Sequence, residues 1–272
     1  MDEPASLVMR LRPLVERVGQ RTLQFIEEAG YMASLLWEAV LWLVLGHHRR
    51  QPVRLAGIFR EAMLMGVQAV PIISILCFSV GVMLAIQGID TLKTFGAQSQ
   101  VVIGIAISVT REFAPLIVGI LVAGRSGSAI AARIGTMLEA QEIDALRVIG
   151  IDPIRYLAAP ILVAMIAMLP CLTILGDFMG ILGGAIFTSI KLGLPMQVYA
   201  ERTLDFLKVF DVMQGLSKSV AFGALIALVG LSNGFQVSGG AEGVGRATTR
   251  AVVMAISLIV IADMIFTYFM NR

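Results

Sequence analysis

Residues 111–153 read REFAPLIVGILVAGRSGSAIAARIGTMLEAQEIDALRVIGIDP, and the succession of residue types in that run decides the fold. Behind Arg111 and Glu112 comes an apolar segment, and Ala123-Gly124-Arg125-Ser126-Gly127-Ser128-Ala129 leads out of it through small residues. Over 137–149, Met137, Leu138, Ile143, Leu146 and Ile149 alternate with Glu139, Glu142, Asp144 and Arg147. Gly150 then ends the helix and Asp152-Pro153 enforces a turn. A membrane helix that leaves lipid and becomes a short amphipathic helix in water has this texture. The acidic residues come first and Arg147 late, the order that suits the helix dipole. Such a helix either docks into a groove of a cytosolic protein or packs on its own membrane domain, and spacing alone admits both.

Composition agrees with a membrane setting. Apolar residues are 57% of the 272 and charged ones 15%, with mean hydropathy +0.86. Soluble domains hold about 45–50% apolar and about 25% charged residues. The chain is therefore an all-α polytopic membrane protein, because lipid cannot satisfy free backbone groups and the helix satisfies its own. The net charge of +2 says little about partners, and Cys77 and Cys171, both in apolar runs, form neither a disulfide framework nor a metal pattern.

Five segments are long enough to cross a hydrocarbon core of about 30 Å. They are 64–89, 101–124, 158–187, 212–237 and 251–270, interrupted only by Arg111 and Glu112, Asp177, Lys218 and Asp263. Residues 1–63 form an N-terminal region of interfacial helices, and 64–272 form the transmembrane domain. Within the former, 6–30 carries Leu7, Leu11, Leu14, Val18 and Phe25 on one side, punctuated by Arg10, Arg12, Arg17 and Arg21, as in a helix lying on an anionic surface. Residues 31–45, with Trp37, Trp42 and Glu38, fall short of a span and read as re-entrant or in-plane, a full crossing being the alternative. His47-His48-Arg49-Arg50 reads as a solvated turn.

Orientation follows from the basic residues. With the N-terminus inside, Arg10, Arg12, Arg17, Arg21, Arg49, Arg50, Arg54, Arg60, Arg125, Arg133, Arg147, Arg155, Arg246 and Arg250 fall on the inner side. Only Lys93, Lys191, Arg202, Lys208 and Arg272 fall outside, so the N-terminus is predicted cytoplasmic.

The charges inside the spans then gain a depth. At about 1.5 Å per residue, Arg111 sits roughly 16 Å from the outer end of its helix and Asp263 roughly 18 Å from the inner end of its own. Lys218 and Asp177 fall nearer the outer surface. Isolated charges in lipid cost several kcal/mol, so these residues are expected to pair in an internal network. That network either only holds helices together or takes part in a substrate path or switch. Helix packing is legible as two small-residue stripes, Gly176, Gly180 and Gly184, and Gly124, Ser128 and Ala132. Pro160 and Pro170 predict a kinked third span.

Gly240 to Ala247, GAEGVGRA, imitates the spacing of a phosphate-binding loop, but Arg246 and Ala247 replace the lysine and the hydroxyl, and no strand precedes it. It reads as a flexible turn before the last helix. No nucleophile–base pair or metal cluster is visible, so the chain is not expected to be an enzyme by itself.

Several motifs in order resemble the MlaE family of ABC-transporter permeases. They are Arg111-Glu112-Phe113-Ala114-Pro115, Ala123-Gly124-Arg125-Ser126-Gly127-Ser128-Ala129, Ile143-Asp144-Ala145-Leu146 with Gly150-Ile151-Asp152-Pro153, Lys218-Ser219-Val220, and Gly245-Arg246-Ala247-Thr248-Thr249-Arg250. The family reads Glu-Gln-Ile-Asp where this chain has Gln141-Glu142-Ile143-Asp144, a displacement of one residue and about 100° on a helix. The resemblance implies a homodimeric inner-membrane permease moving phospholipids across the bacterial envelope. Its partners would be a cytoplasmic ABC ATPase, which holds the ATP and magnesium, and a periplasmic MCE-domain protein; no cofactor is bound directly and no nucleic acid is involved. Glu139, Glu142, Ile143, Asp144, Leu146, Arg147 and Asp152 would then belong to a coupling helix that contacts the ATPase. Arg111, Glu112, Lys218 and Asp263 would line or switch a lipid cavity made by the first, second and fifth spans. An ion-coupled secondary transporter or channel is the alternative, and its expected internal repeat is not visible.

Overall fold

The computed structural model describes the backbone of residues 3–45 and 55–270, and the side chains of these except 3–18, 21, 24, 25, 45 and 99. Among the described residues the protein is helical without strands. Helix α1 (Glu3–Leu45) is followed by α2 (Leu55–Lys93), α3 (Val101–Glu139), the short α4 (Glu142–Val148), α5 (Ile154–Leu192), α6 (Met196–Phe206), α7 (Val209–Phe235) and α8 (Gly240–Met270). Helices α2, α3, α5, α7 and α8 are each long and apolar enough to cross a membrane. Helices α1 and α4 lie at one end of the bundle, and α6 lies at the other.

The apolar runs mark the spans, and the helices outrun them. Helix α2 starts at Leu55 rather than 64, and α8 starts at Gly240 rather than 251. GAEGVGRA is thus the first turns of α8 and not a flexible turn. The two expected N-terminal segments, 6–30 and 31–45, are one continuous helix, which passes through Gly30 without a break. The Leu7, Leu11, Leu14, Val18 and Phe25 stripe, the arginines that punctuate it, and the His47-His48-Arg49-Arg50 patch lie outside the described side chains.

Three prolines sit just beyond local irregularities. A proline lacks the N–H for an i−4 bond, and its ring crowds the carbonyl one turn back. In α3, residues Val109–Phe113 widen into a π-helical turn ahead of Pro115, with the Ala114 N–H reaching the Val109 carbonyl. In α5, Ile154–Ala158 do the same ahead of Pro160, with Ala159 bonded to Ile154. In α2, Val67–Ala69 tighten into a 3₁₀ turn ahead of Pro71.

Glycines set how closely the spans approach. Gly81 of α2 lies against the backbone of Gly180 in α5, where a Cβ would fall 1.8 Å from the Gly180 carbonyl oxygen. Gly183 packs likewise on the Phe78 carbonyl, and Gly176 takes Cys77, Val118 and Ala114. The stripe on α5 is therefore an intrachain seam. The second expected stripe, Gly124, Ser128 and Ala132, is only partly buried within this chain, its packing within one chain or across a dimer being open from sequence. A Cβ at Gly124 would meet nothing within 4 Å, and α3 meets α7 through Gly127, Ile130 and Ile134 packed on Ile226, Gly230 and Gly234. At the α6 end, Gly184 leaves room for the hydroxyl of Tyr199. Burial pushes that phenol above its ordinary pKa.

Candidate functional site

Two groups of expected residues form two separate constellations, one within the bundle and one at the α4 end. The first is a buried charge network. The π-helical turn in α3 presents the adjacent Arg111 and Glu112, and both find partners on α7. Lys218 of α7 is fully buried. Its ammonium donates to Glu112 Oε2 at 2.6 Å and to Thr267 Oγ1 at 2.8 Å. It lies 3.0 Å from Asp263 Oδ1 on α8. The Thr267 hydroxyl donates onward to the Glu112 carboxylate at 3.1 Å. Three helices are thereby joined around one ammonium group, by hydrogen bonds to Glu112 and Thr267 and by ion pairing with Glu112 and Asp263.

Arg111 reaches a different carboxylate on α7. Its Nε donates to Asp211 Oδ1 at 2.7 Å and its Nη2 to the same oxygen. Asp211 is buried at the third position of α7, and its other oxygen accepts the Lys208 N–H at 2.9 Å, half of a capping box. Sequence reasoning missed Asp211 because it lies just before the apolar run that begins at 212. The signal available was its place in the first turn of a helix, where a carboxylate is favoured. Asp177, expected in the network, is buried beside Cys77 and has no ion-pair partner among the described residues. Arg111 and Glu112 keep about a third of their side-chain surface exposed, 30% and 32%.

The second constellation is α4 and its turns. Helix α3 ends at Glu139, and Gln141 adopts a left-handed backbone with φ 58°, so α4 starts only at Glu142. Glu139 accordingly belongs to α3, and its Oε1 accepts the Gly240 N–H at 3.0 Å at the start of α8. The Gln141-Glu142 displacement from the family pattern falls at this break and not within a continuous helix. Ile143 is fully buried in the core and anchors α4, so it offers no outward contact.

The outward residues are Glu142, Asp144 and Arg147, with Leu146 half-buried. Val148 and Ile149, not expected at the contact, are the most prominent apolar groups there, 87% and 68% exposed. Asp144 and Arg147 pair at 3.1 Å, but both are largely exposed and the pair adds little. Gly150, at φ 79°, closes α4 as a Schellman motif, with its N–H on the Arg147 carbonyl and the Ile151 N–H on that of Leu146. Asp152 also turns inward. Its Oδ1 accepts the Ile154 and Arg155 N–H groups at 2.8 and 3.3 Å, capping α5, and its Oδ2 accepts Trp42 Nε1 at 3.2 Å.

Five helices long and apolar enough to cross a membrane, a polar network shared among three of them and a short amphipathic helix between the second and third give the frame of a multi-pass membrane protein. The comparisons agree. The family described as Permease MlaE matches residues 58–269. A probable ABC transporter permease protein of Rickettsia felis is 35% identical over 254 residues, 93% of this chain and 96% of that one. The intermembrane phospholipid transport system permease protein MlaE of Haemophilus influenzae is 31% identical over 212 residues, 78% of this chain and 81% of that one. The chloroplastic protein trigalactosyldiacylglycerol 1 of Arabidopsis thaliana is 36% identical over 190 residues, 70% of this chain and 54% of that one. The chain belongs to the MlaE permease family and is an ABC transporter permease, a multi-pass membrane subunit.

Proposed function

We propose that this permease moves phospholipid between the bacterial inner membrane and the periplasm or outer membrane, driven by a separate ATPase that holds the ATP and magnesium. The end carrying α4 faces the cytoplasm, together with the N-terminus. The observation that carries the reading is α4 itself, anchored inward by Ile143 and presenting Val148 and Ile149 outward among Glu142, Asp144 and Arg147. An exposed apolar tip on a rigidly capped helix is the form of an anchor for a groove in a partner. The bias of arginines toward that end supports its cytoplasmic placement.

The substrate reading rests on the similarity to the intermembrane phospholipid transport permease of Haemophilus influenzae and on the exposed faces of the outer spans. Only 11% of the most apolar stretch of α8 is buried in the chain, against 56% for α5 and α7. Helix α2 is also open, with 28% of its most apolar stretch buried, and Arg111 and Glu112 are partly exposed. That arrangement supports a homodimer closing α2, α3 and α8 around a lipid cavity with polar groups in its wall. An MCE-domain protein at the α6 end would receive or deliver the lipid.

Docking is tested by Asp144→Lys and Val148→Asp. Each is expected to reduce co-purifying ATPase, Val148→Asp by about 2 kcal/mol or more, roughly thirtyfold in affinity. The permease itself should keep its yield, because both side chains project away from the core. ATPase recovered at wild-type level with both variants would reject the docking role.

A further inference from the structure

Helix α1 is fixed at two distant points. Near its C-terminal end, Trp42 Nε1 donates to Asp152 Oδ2 at 3.2 Å, and the Arg155 guanidinium lies 5.4 Å from the Trp42 ring centroid. Further back, Glu28 forms an ion pair with Arg250 of α8. Fourteen residues separate Glu28 from Trp42, roughly 21 Å of helix.

Asp152 is the element that makes the first point significant. It follows the Schellman turn of α4 by one residue, and its two oxygens serve two different helices. Oδ1 caps α5, while Oδ2 holds α1. A displacement of α4 by a bound partner must therefore pull on both. Between α1, this turn and the end of α7 lies a cavity of about 450 Å³, bordered by Tyr31, Leu35, Arg147 and Phe235. On that side the turn borders open space and not a packed core.

We propose that α1 is a transmission strut. Trp42 and Asp152 form its joint with the docking turn, and Glu28 with Arg250 forms its joint with α8, the helix that carries Asp263 and Thr267. Movement of α4 thus reaches α8 by a route outside the loops that connect the spans. Trp42 and Glu28 are positioning residues and touch neither nucleotide nor lipid. The proposal rests on the ATP-driven reading above.

The test is reconstitution of the whole complex in vesicles of bacterial phospholipid, measuring lipid moved per ATP hydrolysed. Asp152→Asn keeps the oxygen that caps α5 and loses the acceptor for Trp42. Trp42→Phe keeps an aromatic ring for Arg155 and loses the donor. Each should lower lipid moved per ATP about tenfold or more, as expected for losing a hydrogen bond to a charged group. The ATPase should stay bound and active, the double variant should be no worse than either single one, and Glu28→Gln should uncouple in the same sense. A wild-type ratio in either single variant overturns the joint, as do losses that multiply in the double variant or that come entirely from lost ATPase. A wild-type complex that moves no lipid with ATP overturns the functional reading itself, a result distinguishable from failure of the joint.

Discussion

Lys218→Met will destabilise the protein by about 3–5 kcal/mol, the usual cost of removing one partner from a buried ion pair. The ammonium is fully buried and faces Glu112 and Asp263 at 2.6 and 3.0 Å. Its removal strands two carboxylates within the bundle and cuts the ionic tie of α8 to α3 and α7. In detergent, the variant should show a markedly lower thermal midpoint and a shift from monodisperse to aggregated material. The companion is Lys218→Met combined with Glu112→Gln and Asp263→Asn, which removes the charges together. Replacing a whole buried pair by uncharged groups is often neutral, so stability should return in large part. If the single variant melts like wild type, the network does not hold these helices.

Gly81→Ala should be almost as damaging, although it adds one methyl group. The new Cβ would stand 1.8 Å from the Gly180 carbonyl oxygen, and backbone has no rotamer by which to retreat. Helices α2 and α5 must move apart along their seam, at a cost above the 1–3 kcal/mol typical of overpacking. Gly183→Ala, with its Cβ 2.2 Å from the Phe78 carbonyl oxygen, should behave alike. Gly124→Ala is the control, since nothing lies within 4 Å of its Cβ. Thermal midpoints of the three in one detergent decide the matter. Equal midpoints would mean that the seam is not close-packed.

These residues also show what was legible in the sequence. The spans could be read because lipid demands long apolar runs, and the Gly176, Gly180 and Gly184 stripe because close helix approach demands small residues. The helix ends could not, because Leu55 to Ala62 and Gly240 to Arg250 are mixed in polarity, while helix propensity and capping carry on beyond the lipid. The same limit hid Asp211. It lies just before the apolar run, yet it holds Arg111. A stripe of small residues reveals close packing without saying which face or which chain it meets, and within this chain α3 packs on α7 through Gly127 and its neighbours. In α4 the amphipathic pattern could not tell the anchoring Ile143 from an outward contact, because both are apolar positions of one short helix. The inward turn of Asp152 was hidden for another reason, since Trp42 is 110 residues away in sequence.

The most direct measurement is phospholipid transfer by proteoliposomes containing this permease with the proteins that co-purify with it, followed with ATP and no ion gradient, then with an imposed ion gradient and no ATP. Transfer is expected with ATP alone and should vanish when the ATPase is left out. Transfer that follows the ion gradient without ATP would contradict the proposed function and favour an ion-coupled transporter built around the Lys218 network.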